Sequence, residues 1–272
     1  NPSSYFRFED RGALAPGKLA DIVVLDDLYE MSVEAVFIEG KLTAHKGRLL
    51  VDLSPYVYPD TVKNSVRRAP LKKSDLEIRS DAAQVTGNCL VAIPDQNLTD
   101  ALKVTLPVSG GVVSCDPKDD VLYIACIERY GRNGNIGKAF VRGFGMKQGA
   151  IAESVAHDTH NIVVAGASLE DMVTAVNRVI EMGGGIALAD RSRVVDELRL
   201  PVGGLISDEQ SGEEMAESIK RLAETARTQL SCAIHEPFMH LSFLALSTSP
   251  KWKITDKGLI DVENFRILPP IE

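Results

Sequence analysis

Residues 162–189 read IVVAGASLEDMVTAVNRVIEMGGGIALA, and this stretch decides the fold class. Ile162 to Ala165 is a short apolar, largely β-branched run, as strands favour. Leu169, Met172, Val173, Val176, Val179 and Ile180 then recur at the spacing of one helix face. Ser168 supplies an N-cap oxygen, and Asp171 stands three positions on as a shortened capping-box acid. Gly183 can end the helix in the left-handed conformation. Ile186 to Ala189 resumes as a strand. A strand, a helix at 169–182 and a second strand make a β-α-β unit, with a right-handed connection if its strands are parallel. An α+β domain with a mixed sheet is expected around it.

Working outward, Val85 to Ile93, Leu102 to Leu106, Val121 to Ile127 and Ala139 to Phe144 read as further strands. Downstream, Met215, Ala216, Ile219, Leu222, Ala223 and Ala226 mark a second helix, with Ser207 or Asp208 as its cap and Glu217–Arg221 as an i,i+4 pair. Residues 81–272 are therefore expected to form the mixed-sheet α+β domain. Residues 54–80 carry Ser54-Pro55, Pro59 and Ala69-Pro70 with weak periodicity, and read as an exposed linker or a segment wrapped over its neighbour. Residues 1–53 hold a Pro16-Gly17 turn and three short strands near 20–26, 33–39 and 42–44, a small β-rich segment with a poor core of its own.

The chain has 272 residues, is 44% hydrophobic and 25% charged, and carries a formal charge of −8, which suits a packed, folded protein and not a disordered one. The acidic balance and the lack of long basic runs exclude nucleic acid as the main partner. No apolar run reaches the roughly 18 residues a membrane span needs. The four cysteines show no C-x-x-C spacing, so reduced, mostly buried thiols in a cytoplasmic setting are expected. The chain opens on Asn1-Pro2, without an initiator Met or signal segment, and residue 1 is expected to lie inside a longer polypeptide.

The sharpest chemical feature is His157-Asp158-Thr159-His160-Asn161, placed between two apolar runs as a turn joining two strands. Two imidazoles and a carboxylate are the groups for metal ligation and for proton transfer near neutral pH; a polar turn capping its own backbone is the alternative. Glu128-Arg129 ends one strand before the glycine-rich loop Gly131 to Gly137, where the pair can grip the edge of a planar heterocycle or each other. Leu200-Pro201-Val202-Gly203-Gly204-Leu205 can let a backbone approach a neighbour closely. His235-Glu236-Pro237-Phe238-Met239-His240 has the wrong spacing for a zinc helix. No His-x-His pair, G-x-S-x-G elbow or H-x-E…P-C-x-x-C motif is present.

Asn1 to Phe6 and Asp10-Arg11-Gly12-Ala13-Leu14-Ala15-Pro16-Gly17-Lys18-Leu19-Ala20-Asp21-Ile22-Val23-Val24-Leu25 resemble the segment that follows the metal-binding barrel in the amidohydrolase superfamily. Gly134 to Gly137, Phe140-Val141-Arg142-Gly143-Phe144-Gly145, the His157 to Asn161 turn, Leu200 to Leu205, Pro237-Phe238-Met239, Leu241 to Leu246 and Thr255 to Val262 resemble the C-terminal domain of bacterial and archaeal adenine deaminase. Tyr130 departs from that pattern, standing where a histidine is common.

The resemblance implies a hydrolase of purine metabolism that converts adenine to hypoxanthine and ammonia. Its binuclear centre (manganese, iron or zinc) would sit in a (β/α)8 barrel absent from this chain, with the ligands mainly upstream of residue 1. Residues 1–53 would be part of a small β-sandwich domain built from both ends of the polypeptide. The isolated chain would then be inactive. Expected partners are adenine, the missing barrel and a second copy in a homo-oligomer, with no membrane. Within this chain His157, Asp158 and His160 are the candidate catalytic residues, Glu128, Arg129 and Asn161 the candidate substrate-binding ones, and no metal ligand is assigned. A different, hydantoinase-like amidohydrolase and a non-catalytic assembly module are the other readings.

Overall fold

The computed structural model describes residues 2–54, 56–63 and 65–272. Asn1 of the opening motif, Pro55 of the connector and Asn64 lie outside the described residues. The chain divides into two compact units, 1–57 and 58–272.

In the first unit, strands β1 (Ile22–Asp27), β2 (Ser32–Ile38), β3 (Lys41–His45) and β4 (Arg48–Leu49) follow one another as an antiparallel meander. The amide of Lys18 donates to Ala15 O at 3.2 Å across Pro16 and Gly17, the expected turn. Ala35 is the one buried apolar residue of this unit among those described, whereas Val23, Val33, Ile38 and Leu42 are exposed. Three or four short strands have too little apolar surface on one side to bury much more.

The second unit is built on a nine-stranded sheet. Its strands are β5 (Gln84–Ala92), β6 (Thr99–Ser109), β7 (Val112–Val113), β8 (Val121–Ile127), β9 (Ile136–Arg142), β10 (Ala150–Glu153), β11 (Ile162–Gly166), β12 (Gly185–Asp190) and β13 (Arg193–Arg199). The spatial order is β13-β12-β10-β11-β8-β9-β5-β6-β7. All neighbours are antiparallel except β5 and β9, where Cys89 lies opposite Phe140 in a parallel pair, so the sheet is mixed as expected. Helices α1 (Leu169–Met182), α2 (Gly212–Gln229) and α3 (Pro237–Phe243) pack on it. A smaller three-stranded sheet follows, β14 (Trp252–Thr255), β15 (Gly258–Asp261) and β16 (Arg266–Leu268). Among the described residues no (β/α)8 barrel is formed.

The period of two along each central strand separates two cores. Leu122, Ile124 and Cys126 of β8, with Val163 and Ala165 of β11, face the side covered by α2, α3 and the small sheet. Tyr123, Ala125 and Ile127, with Ile162 and Val164, face the side covered by α1. Burial on both faces explains why β8, β11 and β12 read as continuous apolar runs instead of alternating ones.

The β11-α1-β12 unit has the expected limits. Ser168 Oγ accepts from the Asp171 amide at 3.2 Å, and Gly183 closes the helix at φ +76°. The two strands are parallel but not adjacent, because both pair antiparallel with β10, which lies between them. Gly137 marks the contact of β9 with the small sheet: a Cβ there would collide with Thr255 O.

Three local expectations are corrected. Helix α2 is capped by Ser211, not by Ser207 or Asp208, because Glu214 three residues on completes a capping box (2.8 and 3.2 Å). Arg221 pairs with Asp196 of β13 and not with Glu217, since a nearly buried carboxylate offers a less screened partner than an exposed one. Strand β9 begins at Ile136, earlier than expected, and ends where Asp120 takes the Gly143 and Gly145 amides (2.8 and 2.6 Å). The stretch 54–80 is not wholly exposed and follows the wrapped reading at one end: Leu71, Leu76 and Ile78 are buried, and the Asn177 side chain of α1 bonds both the amide and the carbonyl of Leu71 (2.7 and 3.0 Å).

Candidate functional site

The turn of residues 154–161 joins β10 to β11, and a buried arginine fixes its shape. Arg129 follows directly after β8 and is 1% exposed. Its Nε donates to His160 O, one terminal nitrogen donates to Ser65 Oγ at 2.8 Å, and the other to Gly203 O at 2.8 Å and Tyr130 Oη at 3.3 Å. The guanidinium lies 4.7 Å over the Tyr130 ring. Tyr130 Oη in turn donates to Thr159 O at 2.7 Å. Three segments, around Ser65, Thr159–His160 and Gly203, are therefore tied to one fork. Burial is what lowers the Arg129 pKa from its usual value, and the only group drawing it back is the Tyr130 hydroxyl. Gly204 completes the socket: a Cβ there would strike Arg129 Nη1, which explains one glycine of the Leu200–Leu205 motif.

Glu128 turns the other way. Its carboxylate accepts from the amides of Tyr130, Arg132, Asn133 and Gly134 (2.7, 3.2, 3.5 and 3.2 Å). Burial alone would raise its pKa, but the four N–H donors together hold it below the usual carboxylate range. Glu128 and Arg129 therefore neither pair with each other nor present free groups; one shapes the loop at 130–134 and the other the turn at 157–161. Glu128→Ala is expected to cost about 1.5–3 kcal/mol, the range for hydrogen bonds to a charged group. Urea unfolding of the variant checks this.

Of the three candidate catalytic residues, the two histidines lie together and Asp158 stands apart. His157 lines a cavity of about 1060 Å³. Its ring lies 5.2 Å from that of Phe243 and 5.9 Å from that of His160. Asp158 is exposed and does not line the cavity. His160 is half-buried with Nδ1 enclosed and without a hydrogen-bond partner. Burial first, then the nearby His157 and Arg129, lower its pKa, so it is neutral at pH 7. Asn161 is buried, and its Oδ1 has no hydrogen-bond partner.

Two residues of this neighbourhood belong to no motif visible in the sequence. Glu153 ends β10, is 1% exposed and lines the same cavity, with Oε1 lacking a partner. Burial raises its pKa well above the ordinary carboxylate value, opposed by the Ser242 backbone, so burial favours its protonated form. Its one sequence signal is a carboxylate inside the apolar run 151–156. Ser154, next to it, bonds Gly204 O (2.6 Å) and receives the Gly185 amide (2.8 Å), coupling the turn to the second glycine loop. Arg129 stands out in the sequence, but no local pattern shows that its partners are backbone carbonyls far along the chain.

His240 is a satisfied core histidine: Nε2 accepts from the Asp95 amide at 3.1 Å and Nδ1 bonds Glu236 O at 3.1 Å. Among the described residues no three His, Cys, Asp or Glu side chains converge as a metal site. The chain's own residues therefore do not fit the binuclear centre that the resemblance implies. No helix among them is long and apolar enough to cross a membrane.

Comparison with known proteins places this geometry in a family. Residues 96–266 match the family model of the adenine deaminase C-terminal domain. The chain is 56% identical over its whole length to adenine deaminase 1 of Carboxydothermus hydrogenoformans, covering 45% of that protein. It is 37% identical over 99% of its length to adenine deaminase of Dehalococcoides mccartyi and 40% identical over its whole length to that of Desulforamulus reducens, covering 46% of each. The chain thus spans just under half the length of these curated relatives. With the matched region running from the Asp95 loop through the Arg129 socket, the 154–161 turn and the large cavity to the small sheet, the chain belongs to the adenine deaminase C-terminal domain family.

Proposed function

We propose that this chain acts as the C-terminal portion of an adenine deaminase, which hydrolyses adenine with one water to hypoxanthine and one ammonia. The observation that carries the reading is the whole-length similarity to proteins named adenine deaminase, 56% in one of them. When bound, the divalent metal centre implied by the superfamily supplies an activated water. The described residues do not assemble that centre, so no step is routed through it. Manganese among the metals, a role in purine catabolism, a cytoplasmic setting and a homo-oligomer complete the proposal.

The contribution of this chain is positional. Arg129 and Tyr130 hold the carbonyls of Thr159 and His160, and so set where His157 and His160 project. A neutral His160 can accept a proton near pH 7. His157 reaches a cavity wall. We assign the turn to the purine-handling face of the whole enzyme, which it completes or covers.

The test compares full-length protein with the 272-residue chain, both metal-loaded, for ammonia release from adenine. Robust turnover by the full-length protein and none above blank by the chain is expected. Turnover by the chain alone would refute the assignment of water activation elsewhere. A full-length protein that opens hydantoin rings but leaves adenine intact would favour a hydantoinase-like enzyme instead.

A further inference from the structure

The cavity beside the turn has a chemistry of its own. At about 1060 Å³ it matches the upper end of small-molecule sites. Its walls are mostly apolar, supplied by β12, β13, α2 and α3, with Leu198, Leu200 and Phe238 among them. Charged side chains also line it, Lys220, Glu224, Arg227 and Glu236 among them, but the polar lining residues that are buried are Glu153 and Ser242. Each is 1% exposed, and Glu153 Oε1 and Ser242 Oγ both lack a hydrogen-bond partner. They are neighbours on the wall, the Ser242 backbone lying close enough to the Glu153 carboxyl to act on its pKa. Unpaired polar atoms at this depth are costly, and a native fold keeps such groups where something else satisfies them.

We propose that this cavity is a binding site for uncharged aromatic nitrogen heterocycles, with Glu153 Oε1 and Ser242 Oγ as their hydrogen-bond partners. The case for an aromatic body rests on the lining, which includes the sulfur-bearing Met215, Met239 and Cys232 and the rings of His157 and Phe238. The case for an uncharged ligand rests on desolvation. Glu224 and Glu236 line the cavity at exposed positions, whereas a cation at the depth of Glu153 would have to pair with that carboxylate away from solvent, which requires two charges to leave water. A ring nitrogen with a free lone pair asks only for the O–H of a neutral carboxyl, and the Ser242 hydroxyl can serve a neighbouring donor or acceptor. The site therefore reads a ring edge by neutral hydrogen bonds. The choice of purines as members of the class rests on the function proposed above; the class itself does not.

The test is equilibrium binding to the 272-residue chain by titration calorimetry and saturation-transfer NMR. The probes are benzimidazole and adenine, with benzamidinium as the charged control. Saturable binding of benzimidazole and adenine, with benzamidinium at least about tenfold weaker, is expected. Glu153→Leu, which removes the donor, is expected to weaken binding about tenfold or more. Glu153→Gln keeps an N–H donor on a side chain of the same length, and should bind within about threefold of the parent. Ala223→Trp, which fills the cavity from α2 without touching Glu153, should abolish binding. Circular dichroism of each variant confirms that it is folded, and Ser242→Ala, expected to weaken binding severalfold, serves if the leucine variant is not. Absence of saturable binding by the parent chain would overturn the proposal. So would equal binding by Glu153→Leu, or a preference for benzamidinium that Glu153→Gln abolishes. Benzimidazole binding by a chain whose full-length protein does not deaminate adenine supports the site and counts only against the enzymatic reading. Deamination by the full-length protein without binding by the chain counts only against the site.

Discussion

Arg129→Leu is expected to destabilise the unit of residues 58–272 by about 3 kcal/mol or more, a loss at the high end for a single substitution. The guanidinium is buried and satisfies His160 O, Ser65 Oγ and Gly203 O at once. Leucine fills much of the volume but leaves those acceptors enclosed without donors, and each such loss costs about 1–3 kcal/mol. Arg129→Lys is expected to recover less than half, because one ammonium cannot span three segments as a planar fork does. Gly204→Ala should give a similar phenotype by another route, since its Cβ would strike Nη1 from the opposite wall. Urea unfolding with an unchanged m-value measures all three. A loss below about 1 kcal/mol for Arg129→Leu would show that water replaces the arginine without cost.

Glu153→Gln is expected to change the pH dependence of stability. Burial raises the pKa of Glu153 in the folded protein, so the folded state keeps a proton that the unfolded chain releases above the ordinary carboxylate range. The unfolded state then binds fewer protons, and wild-type stability falls as pH rises, by about 1.4 kcal/mol per pH unit, until the folded-state value is reached. Glutamine does not titrate, so the variant escapes this loss. It carries a roughly constant cost, about 1–3 kcal/mol, for its added N–H donors. The variant should therefore be near or below wild type at pH 5 and gain on it as pH rises, the gain levelling off once Glu153 ionises in the folded protein. Thermal or urea melts at pH 5, 6, 7 and 8 check the slope. A difference that stays flat across this range would mean that Glu153 is ionised in the fold.

Local chemistry makes parts of this molecule legible in its sequence. Ser168, the 169–182 stripe and Gly183 each act within a few residues, so the helix limits follow directly from them. The strands flanking it carry continuous apolar runs because both faces are covered, and that too is a local property. What depends on distant partners is not legible. Residues 162–189 contain no sign that β10 inserts between β11 and β12. Leu71, Leu76 and Ile78 lie among lysines and acids without a period, and their burial depends on Asn177 and α1, about a hundred residues on. At the site, the His157–Asn161 turn stands out because two histidines are rare in a turn. Glu153 passes as part of an apolar strand, though an acid in such a run is itself a signal. Glu128 and Arg129 stand out as an unusual pair, but only the fold shows that backbone groups take up their charges.

The central claim is that the 154–161 turn, held by Arg129 and Tyr130, belongs to the machinery that handles adenine. Steady-state kinetics of His157→Ala and His160→Ala in full-length protein test it most directly. Asp158→Ala is a useful comparison, since Asp158 is exposed and outside the cavity. A fall in kcat/KM of about tenfold or more for each histidine variant, some 1.4 kcal/mol in the barrier, is predicted, with the unfolding midpoint unchanged. Unchanged kcat/KM in both histidine variants would contradict the account and leave the turn a structural connection between β10 and β11.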